Sequence, residues 1–239
     1  MRLDRLLVER GLAPSRAQAQ ALIRDGAVLV DGVRAAKPGL VPHADAEITV
    51  EAGPRWVSRA ALKLLHALDL WGLSPNGAEA LDLGASTGGF TEVLLARGAR
   101  RVHAVDVGHG QLAPRIAEDQ RVRSLEGLNA RDLNEGLVPP PDWIVADLAF
   151  IGLEKALPPA LSLAKPGTVL IALVKPQFEA GPAAVGKGGI VRDGAVHQAV
   201  RARIRAFLEA SGWRVTGEAE SPILGGDGNR EFLVAARKG

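Results

Sequence analysis

The stretch Asp82-Leu-Gly-Ala-Ser-Thr-Gly-Gly-Phe-Thr91 follows the apolar run 80–83 and precedes Glu92-Val-Leu-Leu-Ala-Arg-Gly98. Read in order, these residues spell strand, glycine loop and helix. Glycines at 84, 88 and 89 let a backbone approach a ligand with no Cβ in the way, and the helix that follows offers unpaired N–H groups at its start. A second apolar run, Val102-His-Ala-Val105, closes on Asp106, 22 positions after Gly84. A carboxylate at the end of the second strand of a doubly wound sheet is placed to grip a ribose diol.

The loop departs from the dinucleotide-binding fingerprint, which needs a glycine where Ser86 stands. An acid such as Asp82 at the mouth of the loop repels a pyrophosphate but suits a cationic amino-acid end. S-adenosylmethionine has such an end, together with a ribose for Asp106, and is the expected cofactor. The alternative, for the loop taken by itself, is an ordinary tight turn in some other α/β protein.

Around the loop, apolar runs of strand length alternate with helical patterns. Strands are expected over 80–83, 101–106, 122–126, 143–147, 168–174, 214–220 and 231–236, and helices over 89–97, 111–118, 153–164 and 193–211. Ahead of them Ser58 is positioned to cap a helix whose buried stripe is Ala61, Leu64, Leu65, Leu68 and Trp71. Five strands alternating with helices, then a terminal pair of strands, predict an α/β class: a Rossmann-like, seven-stranded methyltransferase sheet.

The first fifty residues form a separate pattern. Leu3, Leu6 and Leu7 have helical spacing that stops at Gly11; Ser15 then caps a second helix, with Ala17, Ala21 and Leu22 inside and Asp25-Gly26 at its end. Val28-Leu-Val30, the turn signal Asp31-Gly32 and Val33 read as a hairpin, and 48–50 as a further strand. Arg2, Arg5, Arg16, Arg24, Arg34 and Lys37 are expected to share one face. Pro54-Arg-Trp-Val-Ser58 breaks the pattern, so the division is 1–53, a linker at 54–59, and 60–239.

The totals bound the function. At 239 residues and 47% hydrophobic, the chain can bury a sizeable core and still hold a small extra domain. No stretch reaches the roughly 18–20 apolar residues of a membrane span, and the first ten residues are charged throughout, so a cytoplasmic protein without a membrane partner is expected. Zero Cys excludes disulfides, thiolate metal sites and a covalent Cys nucleophile. No metal is expected. Net charge is +2; nine Lys or Arg face seven Asp or Glu up to residue 60, against 20 and 20 beyond it, so the whole excess lies in the first quarter.

Charged residues then stand where burial should forbid them. Asp147 ends Ile144-Val-Ala-Asp and Lys175 ends Leu170-Ile-Ala-Leu-Val-Lys, both at the carboxyl edge that carries Gly84. Glu231 opens the last strand, and an antiparallel course brings it to the same edge. Lys63 leans over the sheet from the helix before the first strand. Each taken singly reads as a solvated charge, a helix cap or a surface ion pair; together they read as one site beside the ligand. Methyl transfer to a ribose 2′-hydroxyl has a use for them: the hydroxyl must be held in line and its proton accepted as the bond forms. Lys175 is expected to accept the proton or orient the hydroxyl, with Lys63 as its cationic neighbour and Asp147 and Glu231 as aligners. Amino-group methylation of bases commonly uses Asp or Asn before Pro-Pro and an aromatic, and Asp147-Leu-Ala-Phe150 has no proline; the usual route to cytosine C5 needs a Cys.

Two resemblances rest on these residues. Arg2-Leu-Asp-Arg-Leu-Leu, Ser15-Arg16, Ile23-Arg-Asp-Gly26 and Val28-Leu-Val-Asp-Gly32 are similar to the small α+β RNA-binding domain named after ribosomal protein S4. Val57-Ser-Arg-Ala-Ala-Leu-Lys-Leu64, the 82–91 loop, Val105-Asp-Val-Gly108, Leu173-Val-Lys-Pro-Gln-Phe-Glu179, Gly186-Lys-Gly-Gly-Ile-Val-Arg-Asp193 and Gly228-Asn-Arg-Glu-Phe-Leu233 resemble the TlyA, or haemolysin A, family of ribosomal-RNA 2′-O-methyltransferases. That family joins an S4-type domain to an FtsJ-like (RrmJ-like) catalytic domain.

The resemblance implies a Lys-Asp-Lys-Glu tetrad at Lys63, Asp147, Lys175 and Glu231. It implies cofactor contacts at Asp82, Gly84, Ala85, Ser86, Thr87, Gly88, Gly89 and Phe90, at Asp106 and Val107, and near the adenine at Asn129 and Ala130. It also implies a ribosomal RNA or ribosomal-subunit partner, with cytidine as the expected nucleotide. RNA contacts are expected from Arg2, Arg5, Arg16, Arg24 and Lys37, and from Lys187 and Arg192 in a glycine-rich flap, for which a surface loop is the other reading. Two departures stand out: Ala149 replaces the usual Ser, and Gly152 follows Ile151. Readings of another class are a non-catalytic ribosome-binding assembly protein and a membrane-lytic haemolysin.

Overall fold

Runs rich in Val, Ile, Leu and Ala form the inner parallel strands, because a strand covered on both faces needs apolar side chains along its length, while the edge strand Val122–Glu126 carries exposed Arg123 and Ser124. The computed structural model describes residues 1–24, 26–35, 37–51 and 56–239. Helices α1 (Leu3–Glu9) and α2 (Arg16–Arg24) are followed by strands β1 (Val28–Val30), β2 (Val33–Arg34) and β3 (Ile48–Val50), which form a small sheet in the order β2-β1-β3. Asp31 and Gly32 have φ of 52° and 76°, the left-handed pair that a two-residue hairpin turn requires, and Val30 pairs with Val33 across it. The Ser15 hydroxyl accepts a hydrogen bond from Gln18 N–H at 3.2 Å, as expected of a cap.

The buried stripe of α2 is not the expected one. Ala19 and Ile23 are fully buried whereas Ala17 is exposed, so the helix sits rotated from the face read in the sequence. The packing of Ile23 against Leu3, Leu7 and Val28 decides the face, since a branched side chain gains more by burial than Ala does.

The larger unit opens with α3 (Ala61–Leu70), then β4 (Glu79–Leu83), α4 (Gly89–Ala96), β5 (Arg101–Asp106), α5 (Pro114–Ala117) and β6 (Val122–Glu126). It continues through β7 (Trp143–Ala146), α6 (Leu153–Ala156), α7 (Pro158–Leu163), β8 (Val169–Val174) and α8 (Pro176–Glu179), and ends with α9 (Gly194–Ala210), β9 (Trp213–Glu220) and β10 (Phe232–Lys238). Among the described residues the sheet has seven strands in the order β6-β5-β4-β7-β8-β10-β9. The first five are parallel, while β10 runs antiparallel to β8 and to β9. One apolar layer packs α3 and α4 on one face, and another packs α6, α7 and α9 on the other. Leu64 and Leu68 of α3, at most 1% exposed, each contribute about 1.5–3 kcal/mol by burial.

Three expected helices change their bounds. The 153–164 segment divides at Leu157, because Pro158 and Pro159 lack the N–H groups that a continuous helix needs. The 111–118 segment shrinks to Pro114–Ala117, since the Glu126 carboxylate accepts the N–H groups of Gly110, Gln111 and Leu112 and holds them in a turn. Ser58 accepts from Ala60 N–H one turn before α3 begins and is not its N-cap. The expected boundary between 53 and 54, and the first two residues of the linker, lie outside the described residues, whereas 56–59 lead directly into α3.

This topology fixes the site. The chain builds β5 and β6 on one side of β4 and β7 and β8 on the other, so the crevice between the ends of β4 and β7 is the switch point where ligands bind in open α/β sheets. Because β10 is antiparallel to β8, with Phe232 opposite Val174, Glu231 and Lys175 emerge side by side at that edge.

Candidate active site

Lys63 reaches the edge from α3, Asp147 follows β7, Lys175 follows β8 and Glu231 precedes β10. Lys63 Nζ donates to Glu231 Oε2 at 2.7 Å and lies 3.8 Å from Asp147 Oδ2. Lys175 Nζ lies 2.6 Å from Asp147 Oδ1, an ion pair whose angle falls outside that of a hydrogen bond. All four side chains are 3–12% exposed. The result is a continuous chain, Glu231–Lys63–Asp147–Lys175, in which two positive and two negative charges offset each other. Such a chain stays ordered with little water around it, because each buried charge has a partner.

Asp147 also lines a cavity of about 500 Å³ beside this chain, with Gly84 and Ser86 of the loop, Asp106 and Val107 after β5, and Asn129 and Ala130. Gly84 adopts φ +78°, and a Cβ there would stand 2.8 Å from the carbonyl oxygen of Asp147. A side chain would close the crevice at its narrowest point. Asp106 accepts hydrogen bonds from Ser86 N–H and Gly108 N–H, both at 2.8 Å, which aims its carboxylate at the cavity floor and holds Ser86 at φ +47°. Asn129 accepts from Arg131 N–H and so fixes the turn at the far end.

Asp82 lies underneath. It is fully buried, its Oδ2 accepts the Thr91 hydroxyl proton at 2.6 Å, and its Oδ1 has no partner. Burial, opposed by the Thr91 hydrogen bond and aided by the nearby Asp147 and Asp106 carboxylates, pushes its carboxyl up to about 7.

Residues 56–238 match the family described as FtsJ-like methyltransferase, and residues 1–48 match the S4 domain. The chain belongs to the FtsJ-like methyltransferase family. The 16S/23S rRNA (cytidine-2′-O)-methyltransferase TlyA of Mycobacterium tuberculosis is 44% identical over 99% of this chain and 89% of its own length. YqxC of Bacillus subtilis, a candidate rRNA methyltransferase, is 45% identical over 98% of this chain and 84% of its own. A solved structure of a candidate hemolysin from Streptococcus thermophilus is 40% identical, with a TM-score of 0.75 over 100% of this chain and 88% of that one. The resemblance read in the motifs, an S4-type domain followed by an FtsJ-like domain, is borne out.

S-adenosylmethionine, the methyl donor of such enzymes, fits these groups: Asp106 could hold its ribose and the open backbone of Gly84 could admit its middle, while Asp82 lies buried beneath the loop, outside the cavity lining, with Oδ1 unpartnered. The other loop residues do not line the cavity. A Cβ on Gly88 would meet Ile116 and Leu112, and one on Gly89 would meet Ser58 and Ala60, so these two glycines admit protein neighbours. Ala85 and Phe90 are buried, Phe90 in the layer with α3 and α4, and Thr87 also stands apart from the lining.

The basic residues of the first unit do not form one open face. Arg2 and Arg16 converge on the buried carboxylate of Asp4, with contacts of 3.1 and 2.8 Å, which holds Asp4 well below the usual carboxylate range. Both guanidiniums keep nearly half their surface exposed. Arg34 pairs with Glu51 at 2.9 Å, Arg5 and Lys37 are exposed, and the Arg24 side chain lies outside the described residues. Lys187 and Arg192 are exposed on a stretch that is pinned: Asn229, 1% exposed, accepts Val191 N–H and donates to the Gly189 carbonyl.

Four further groups stand outside the expected site residues. Gln111 and Phe150 line the cavity, and Phe150 is 91% exposed at φ +66°, its ring 5.2 Å from Phe178. Gln177 Nε2 lies 3.4 Å from Glu231 Oε1. Glu179, which burial pushes up, accepts Leu153 N–H at 2.8 Å and so ties the Asp147–Gly152 loop to α8.

Proposed function

We propose that the protein transfers the methyl group of S-adenosylmethionine to the ribose 2′-hydroxyl of ribosomal RNA, with cytidine as the target nucleotide. Residues 60–239 would form the catalytic unit, 1–53 the S4-like RNA-binding unit and 54–59 the linker between them. The observation that carries this reading is the chain Glu231–Lys63–Asp147–Lys175 beside the cavity that holds Asp106.

S-adenosylmethionine supplies an electrophilic methyl whose bond to sulfur breaks with the electron pair going to sulfur. The protein's own groups do the rest. Asp147, bordering the cavity and paired with both lysines, sets the direction of each amine. Lys175 orients the 2′-hydroxyl and, as the neutral amine left once its own proton has passed to solvent, takes the hydroxyl proton as the oxygen bonds to the methyl carbon. Lys63, held by Glu231, keeps positive charge beside the developing alkoxide. The Phe150 ring at the rim offers an exposed face on which a nucleotide base can stack, and the Phe150–Phe178–Lys175 row leads from that face to the proton acceptor, with Lys175 Nζ 5.9 Å from the Phe178 ring.

An assembly factor without catalysis leaves the charged chain without a purpose. Among the described residues no helix is long and apolar enough to cross a membrane. Equilibrium binding of S-adenosylmethionine followed by tritium transfer to purified ribosomal subunits tests the reading. Label recovered in alkali-resistant dinucleotides supports it, and absence of cofactor binding sinks it.

A further inference from the structure

At the far end of the charged chain, Glu231 gives Oε2 to Lys63 at 2.7 Å, and its other oxygen, Oε1, accepts from Gln177 Nε2 at 3.4 Å. Gln177 stands two positions after Lys175, which is the opposite end of the same chain. The side chains of Gln177, Glu231, Lys63, Asp147 and Lys175 therefore close into a ring whose last link is the backbone of 175–177. An ionised carboxylate can only accept, so the amide nitrogen is the atom that faces Glu231 and the amide oxygen is turned away from it.

Gln177 sits on a firm mount. Its short helix, α8, is held from three sides: the Glu179 carboxylate accepts Leu153 N–H at 2.8 Å, Arg203 donates to the Glu179 carbonyl at 2.7 Å, and the Phe178 ring lies 5.2 Å from that of Phe150. On the other side of Glu231 a Cβ on Gly225 would stand 2.5 Å from Oε1. Lys63, Gln177 and the Gly225 backbone thus enclose a carboxylate that is 3% exposed.

The amide does not serve folding. Gln177 Oε1 is buried and has no hydrogen-bond partner among the described residues. A buried acceptor without a donor destabilises the folded state, and an apolar side chain of the same length removes that penalty. A group that lowers stability yet supplies one hydrogen bond to a functional site acts through position. We propose that Gln177 is a positioning residue for methyl transfer: by fixing Glu231 it fixes Lys63, and so sets where the Lys63 ammonium stands relative to Lys175. Gln177 is outside the lining of the cavity that holds Asp106, so its effect on the reaction passes through Glu231. This role rests on the proposed transfer to a 2′-hydroxyl.

The full chain, purified ribosomal subunits and tritiated S-adenosylmethionine supply the test. Gln177→Met keeps the length of the side chain and removes both amide groups. Its kcat should fall roughly tenfold, the effect of losing one hydrogen bond to a charged group, while KM for the subunits and cofactor affinity stay within about twofold. Its thermal midpoint should equal or exceed that of the unaltered chain, because no buried acceptor is left without a donor. Gln177→Glu keeps the shape and sets a second carboxylate beside Glu231, which favours protonated amines in the ring. The pH at which transfer reaches half its maximum should then move upward, and turnover lost near pH ~7 should return at higher pH. A kcat for Gln177→Met equal to that of the unaltered chain would overturn the role. So would a raised KM with kcat unchanged, which makes Gln177 an RNA contact, or a lowered midpoint with kcat unchanged, which makes it structural. Either result overturns this role alone, whereas absence of label with the unaltered chain overturns the proposed reaction and the role with it.

Discussion

Lys63 Nζ and Glu231 Oε2 stand 2.7 Å apart although 168 positions separate them in the chain. The contact joins the helix before the first strand of the large sheet to the strand that closes it, and both side chains are at most 9% exposed. It therefore serves stability as well as chemistry, and the two roles can be separated. Glu231→Ala leaves a buried ammonium short of its partner and should cost about 3–5 kcal/mol. The double variant Lys63→Met with Glu231→Leu should recover most of that stability in denaturant unfolding while methyl transfer stays absent. Full activity in the double variant would show the pair to be only structural.

Lys175→Ala should abolish methyl transfer while cofactor affinity, read by calorimetry, stays within several-fold. The side chain borders the charged chain rather than Asp106 or Gly84, so cofactor contacts remain. Turnover equal to the unaltered protein would remove Lys175 from the reaction.

Asp82 makes a prediction about pH. Its carboxyl is pushed up to about 7 from an ordinary 3.8, so between those values the folded protein keeps a proton that the unfolded chain has released. Stability without cofactor therefore contains a contribution that is complete below pH ~4 and is lost as pH rises toward ~7. Asp82→Asn removes it. The thermal midpoint of D82N relative to the unaltered protein should rise by several degrees between pH ~5 and ~7. A flat difference in midpoint would contradict the burial argument.

Phe150→Ala should weaken RNA binding by roughly 5- to 150-fold, the range for loss of one stacked base. Thermal stability should hold, because the ring is 91% exposed and the φ of +66° is strained for Phe and for Ala alike. Cofactor affinity should change far less. An RNA dissociation constant within twofold of the unaltered value would leave the ring without a role as a base platform.

The large sheet could be read from the chain because strand-length apolar runs ended on charges, and Asp147, Lys175 and Glu231 marked one edge before any contact was known. The antiparallel course of β10, which delivers Glu231 to Lys63, stands in the sequence only as a condition and is decided by its pairing with β8 and β9. What stayed hidden depended on tertiary contacts. Asp4 looks like any polar residue near the start of a helix, yet Arg2 and Arg16 close over it. Gly88 and Gly89 resembled ligand-facing glycines because spacing cannot tell whether a bare backbone admits a cofactor or a neighbouring helix. Phe150 has no periodic partner, and neither the missing prolines of Asp147-Leu-Ala-Phe150 nor the departures at Ala149 and Gly152 mark its ring as exposed. Asn229 and Glu179 act through single long-range hydrogen bonds, which leave no pattern in the local sequence.

The central claim is that the four-residue charged chain drives methylation of a sugar oxygen. Its most direct test is transfer of tritiated methyl from S-adenosylmethionine to purified ribosomal subunits, followed by alkaline hydrolysis and nucleotide separation. Label in alkali-resistant dinucleotides with 2′-O-methylcytidine at the 5′ position, absent with Lys175→Ala, is the expected result. Label confined to bases, or unchanged with Lys175→Ala, would contradict it.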